Sequence, residues 1–163
     1  MWVRHLKRMR AVLAFAAVVV LAPGIADAVA GTGGDTDDGV QIVAEAKQAE
    51  SAFVVAYNDK NWDALRSVFA EDVLLLAPNA EPINGRNAAV EYFKSLRDAV
   101  GKVNDGHEHL TVNGSGSLAR LAGVLTVGPG RIRVWYSDLY ELQPDGSVLF
   151  KVKAFGFPQR AVG

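Results

Sequence analysis

A carboxylate, two histidines and a set of aromatic side chains carry most of the chemistry open to this sequence. Asp138 stands in RIRVWYSDLYEL, residues 131–142. Alternation groups Ile132, Val134, Tyr136, Asp138, Tyr140 and Leu142 on one face of a strand, and Arg131, Arg133, Trp135, Ser137, Leu139 and Glu141 on the other. The first set is the more apolar, so the spacing predicts that it faces the interior. A carboxyl group there loses hydration and its pKa rises. It can serve as a general acid, a general base or a donor to a developing oxyanion. The other reading of Asp138 is a structural carboxylate that accepts bonds from its neighbours. His107 and His109 fall on one face of a second strand. An H-x-H pair ligates a metal when further ligands converge. No third ligand is evident nearby, so no metal and no cofactor is expected. Either imidazole would suit a pocket base near neutral pH, and His109 with Asp138 would form an acid/base pair across neighbouring strands. Phe53, Tyr57, Trp62, Tyr136 and Tyr140 could line a ligand pocket, the tyrosines donating hydrogen bonds. Trp62 reads equally well as packing between helices. Arg131, Arg133, Lys151 and Lys153 alternate and are expected on a solvated outer face.

These residues need elements to hold them. Val40 to Asp59 has apolar residues at Ile42, Ala46, Ala49, Phe53, Ala56 and Tyr57, which predicts a helix with one buried stripe. Asn61 can cap a second helix with Trp62, Leu65, Val68 and Phe69 on its apolar side, ended by Glu71-Asp72. VLLLA at 73–77 reads as a buried strand closed by Pro78-Asn79. A third helix follows Gly85, faced by Ala89, Val90, Phe93, Leu96 and Val100 and stopped at Gly101. The period then changes. Segments 107–113, 118–127, 131–142 and 148–157 alternate or run apolar, and Asn113-Gly114, Gly128-Pro129-Gly130 and Pro144-Asp145-Gly146 separate them. Helices first and a strand meander after give an α+β fold, a curved antiparallel sheet wrapped around three N-terminal helices.

Composition excludes several functions. The chain has 163 residues, no cysteine and a formal net charge of -1. Thiol chemistry, disulfides and lipid acylation are therefore ruled out. No global basic field recommends nucleic acid, and no P-loop, dinucleotide fingerprint or H-E-x-x-H motif occurs. Residues 1–28 differ from the rest. A basic head (Arg4, Lys7, Arg8, Arg10) precedes the apolar run AVLAFAAVVVLA and Ala26-Asp27-Ala28, the order of a cleavable secretory signal. The run is too short to span a bilayer as a helix. The chain is expected to be cleaved after Ala28, periplasmic or secreted, and free of the membrane thereafter. The Gly- and Asp-rich stretch 29–39 reads as a flexible lead-in, and residues 40–163 as one domain.

The stretches AESAFVVAYNDKNWDALRSVFAEDVLLLAP (49–78), INGRNAAVEYFKSL (83–96), and VWYSDLYEL with DGSV (134–142, 145–148) resemble the nuclear transport factor 2-like superfamily. That group includes SnoaL-like cyclases and ketosteroid isomerases. The resemblance implies a cone with a mostly apolar pocket, and a homodimer formed through the outer sheet face. It places Asp138 where ketosteroid isomerases keep a protonated aspartic acid. Ala77 falls where their general base would stand, and Ala52 near their oxyanion tyrosine, so that mechanism does not transfer. The expected function is binding of a small apolar molecule. The alternatives are a cofactor-free isomerase, dehydratase or cyclase using Asp138 with His107 or His109, and a dimeric interaction module with a filled cone.

Overall fold

The computed structural model describes residues 37–104 and 108–157. The stretch read as a secretory leader and His107 lie outside the described residues. Helix α1 spans Asp37–Asn58, so it begins inside the stretch read as a lead-in. Its buried stripe is Ile42, Ala46, Phe53, Ala56 and Tyr57, with Glu50 among them. Helix α2 is Trp62–Ser67, and the Asn61 side chain accepts from the Ala64 N–H at 3.1 Å. That bond satisfies one of the orphan donors of the first turn. Helix α3 is Arg86–Val100. Gly101 ends it at φ 89°, a left-handed conformation that favours glycine.

Six strands follow from the alternating segments: β1 Phe69–Leu76, β2 Ile83–Asn84, β3 Glu108–Ser115, β4 Leu118–Val127, β5 Ile132–Leu142 and β6 Val148–Gly156. They form one sheet in the order β2-β1-β6-β5-β4-β3. Every pairing is antiparallel except β1 with β6. One expectation is corrected here. The second helix stops at Ser67, and Phe69 to Asp72 open β1 instead of closing the helix. The Phe150 N–H donates to the Val68 carbonyl at 2.9 Å, and Phe69 pairs with Phe150. Burying both rings in the sheet outweighs another turn of helix, since each is worth about 1.5–3 kcal/mol.

The core is an aromatic cluster between helices and sheet. The Phe53 ring lies 5.1 Å from that of Phe93, 5.6 Å from Phe150, 5.9 Å from Tyr57 and 6.0 Å from Phe69. Strand β5 alternates as expected, with Val134, Tyr136, Asp138 and Tyr140 buried. Strand β6 breaks its alternation. Leu139 pairs with Val152 but Tyr140 pairs with Phe150, so Lys151 is an extra residue, a β-bulge. The bulge shifts parity: Val148 and Phe150 point inward before it, Lys153 and Phe155 after it. The Lys151 ammonium is held outside by Asp72 of β1 and, at 3.5 Å, by Glu141 of β5. Lys153, expected on the outer face with Lys151, is therefore interior.

Candidate functional site

Between α1, α3 and the concave face of the sheet lies an apolar pocket enclosing about 40 Å³. Phe53 and Tyr57 of α1, Phe93 and Leu96 of α3, and Val134 and Tyr136 of β5 contribute to its wall. Lys153 is the one charged side chain in that wall among the described residues. A space this size holds a few waters, and a compact organic molecule would enter only as the wall side chains give way. Of the aromatics singled out from sequence, Phe53, Tyr57 and Tyr136 line it. Trp62 is half-buried against the core instead. Tyr140 lies deeper, its ring 4.4 Å from that of Phe150.

Asp138 also stands behind the pocket rather than in its wall. It is 1% exposed, and its Oδ2 accepts from Lys153 Nζ at 2.8 Å while its Oδ1 accepts from the Ala154 N–H at 3.3 Å. Burial raises its pKa, and the Lys153 ammonium opposes that rise. Lys153 is 5% exposed, and its nitrogen also sits 4.3 Å over the Phe53 ring and 4.5 Å over the Phe150 ring. A carboxylate and two ring faces thus surround the amine.

A second polar group adjoins this pair. Glu50 of α1 is 4% exposed, and burial pushes its pKa up to about 7 against the pull of Lys153. It bonds to the Tyr136 hydroxyl. That hydroxyl lies 2.9 Å from His109 Nδ1, and His109 Nε2 lies 3.5 Å from Glu50 Oε2. Burial and the nearby Lys47 charge lower the His109 pKa, which favours neutral imidazole. Burial, with Glu50 beside it, raises the Tyr136 pKa far above its ordinary value. His109 and Asp138 are not on neighbouring strands as expected: β4 lies between β3 and β5, and the imidazole reaches across it to Tyr136. His109 instead sits opposite Gly123 on β4, which sits opposite Tyr136. A Cβ on Gly123 would come within 2.8 Å of the Tyr136 hydroxyl and 2.1 Å of the Glu108 carbonyl, so glycine lets the phenol cross to the imidazole. Tyr140 Oη is buried with no hydrogen-bond partner among the described residues, and burial, then the charges of Asp138 and Glu50, raise its pKa.

Glu50 and Lys153 are the site residues that the sequence reading missed. Glu50 lies four residues after Ala46 and three before Phe53, squarely on the apolar stripe, and that spacing was a usable signal. Lys153 gave no such signal, because a bulge cannot be seen in strict alternation. No group of three histidine, aspartate or glutamate side chains converges as a metal site among the described residues.

The buried Glu50 carboxyl makes stability depend on pH. Its folded pKa of about 7 exceeds the ordinary 4.5, so the unfolded chain releases the proton first. Stability from this group is complete below pH 4.5 and is lost as pH rises through 7. The loss amounts to about 2–3 kcal/mol. His109 acts oppositely, costing stability as pH falls below 6.5. Glu50→Gln should flatten the curve between pH 4.5 and 8. Urea unfolding across that range checks this, and an unchanged slope in the variant would remove Glu50 as its cause.

A curved sheet closed over three helices, with an apolar pocket reaching a buried polar cluster, is the nuclear transport factor 2-like architecture. Solved structures share it. An NTF2-like protein of unknown function from Pseudomonas putida has 18% sequence identity over 76% of this chain and 91% of its own, at a TM-score of 0.65. A protein of unknown function with a cystatin-like fold from Nostoc punctiforme has 13% identity over 72% and 91%, at 0.63. A ketosteroid isomerase-like protein from Erwinia carotovora atroseptica has 20% identity over 72% and 96%, at 0.58. Within this class the chain belongs to the SnoaL-like domain family, whose model matches residues 51–149. No curated protein matches the chain.

Proposed function

We propose that this SnoaL-like domain binds a small, largely apolar molecule in its cone pocket. The carrying observation is an apolar wall, built from Phe53, Tyr57, Phe93, Leu96 and Val134, that includes one buried cation, Lys153. A concave, mostly apolar site with few convergent polar groups suits such a ligand. A thermal-shift screen of compact apolar compounds tests this, run beside Leu125→Phe, which fills the pocket. Hits should stabilise the protein and lose that effect in the filled variant. Equal stabilisation of both proteins, or no hit, would sink the reading.

A second reading is cofactor-free proton transfer of the isomerase, dehydratase or cyclase type, with Asp138 as acid/base. Glu50 favours it, being half-ionised near neutral pH and bonded to Tyr136 beside His109. A general acid or base works best with its pKa near the operating pH. The isomerase-like name of one structural neighbour agrees with that class. Deuterium exchange into small ketones in D2O, unaltered by Glu50→Gln or Asp138→Asn, would count against it.

The interaction-module reading keeps its dimer. Leu74 and Leu76 of β1, Val152 and Ala154 of β6, Leu139 and Trp135 of β5, and Val124 of β4 adjoin one another on the outer face. Trp135 is 50% exposed there. Large exposed apolar patches mark association sites, so this face would form a homodimer. Trp135→Lys should shift a dimer to monomer in light scattering, and a wild type that is already monomeric overturns the proposal. Export is proposed on the leader sequence alone, and a secreted form beginning at Val29 would bear it out.

A further inference from the structure

A lone lysine in the wall of an apolar pocket ordinarily suggests a carboxylate ligand, such as a short fatty acid. The charges around Lys153 argue otherwise. Its ammonium is already neutralised by Asp138 at 2.8 Å, with both partners almost fully buried. A second carboxyl, Glu50, faces the same cluster from α1, and its titration responds to both Lys153 and Asp138. The remaining groups there, Tyr136, Tyr140 and the imidazole of His109, bring no fixed positive charge. Among the described residues two further cations act nearby: Lys47, whose charge is felt by Glu50 and His109 but which does not line the pocket, and Arg97. Arg97 lies 5.9 Å from the Tyr57 ring, donates to the Asn58 carbonyl and does not line the pocket. An anion at Lys153 would therefore meet an occupied cation and a like charge behind it, in a medium that screens poorly. An ammonium carries three N–H groups, and Asp138 Oδ2 takes one. The rest of the ammonium lies against the Phe53 and Phe150 faces, contacts weaker than a hydrogen bond to a ligand oxygen would be.

We infer that the pocket selects uncharged molecules bearing one hydrogen-bond acceptor, such as a ketone, ester or lactone, and rejects carboxylates of the same shape. Lys153 donates to the acceptor, and Asp138 is the positioning residue that excludes the anion. This rests on the pocket reading proposed above and names the ligand class for it.

The test is an NMR titration of the protein with cyclopentanone, cyclopentanecarboxylate and methylcyclopentane at pH 7.5, followed on amides of β5 and β6. Cyclopentanone should bind at least about tenfold more tightly than the carboxylate. In Asp138→Asn the Lys153 charge is released, and the carboxylate should gain at least about tenfold and overtake the ketone. The wild-type ranking decides the matter even where the variant does not fold. Binding in which the carboxylate equals or exceeds the ketone in the wild type overturns this inference and leaves the pocket reading standing. Saturable binding of none of the three overturns both.

Discussion

Lys153→Met should cost about 3–5 kcal/mol of stability at pH 8, as removal of one partner from a buried ion pair does. The lysine is held by Asp138 and by the faces of Phe53 and Phe150, so its loss strands a carboxylate that is 1% exposed. Methionine replaces most of the stem volume, which isolates the charge effect from a cavity. The sign of the pH dependence follows. Asp138 already has a raised pKa through burial, and without Lys153 it rises further. In the variant the stranded group takes up a proton in mild acid, so the deficit should shrink as pH falls from 8 towards 5. The double variant Asp138→Asn with Lys153→Met should recover most of the loss, because removing both charges removes the stranded one. Urea unfolding at pH 5 and 8 measures all three proteins. A single-variant loss below 1 kcal/mol at both pH values would show that the pair does not hold the interior together.

Phe53→Ala should be comparably severe, at about 3–5 kcal/mol, for a different reason. Its ring touches the rings of Tyr57, Phe69, Phe93 and Phe150 and the Lys153 ammonium, joining α1, α3, β1 and β6 at one point. Removing it opens a void continuous with the pocket. Such apolar voids stay dry and accept benzene. Benzene should therefore raise the melting temperature of the variant by several degrees more than that of the wild type. A loss under 1 kcal/mol, or no response to benzene, would mean that the neighbouring rings collapse into the space.

The elements were legible where burial follows strict periodicity. The α1 stripe and the inner face of β5 could be written down from spacing alone, and Asp138 with them. The Asn61 cap and the Gly101 stop follow from local chemistry of the same kind. The errors have separate physical causes. Phe69 to Asp72 joined the sheet because long-range ring burial outweighed helical spacing. Glu50 holds a position on the stripe, and its burial depends on polar partners from the strands that spacing along α1 does not show. Lys153 was hidden by an extra residue. The link from His109 to Tyr136 depends on Gly123, whose missing side chain signals a close approach but not its partners.

The β6 bulge has a consequence for how the pocket can diversify. If residues 148–156 ran in strict alternation from Phe150, Val152 would take the inward place and Lys153 would join Lys151 outside. The pocket wall would then present an aliphatic group, and Asp138 would lose its counter-ion. Charge in the pocket wall is thus a matter of strand phase, set by one looped-out residue that Asp72 and Glu141 hold in place. Loss or gain of a single residue along β6 can interchange a cationic and an apolar wall with no inner residue type having to be invented.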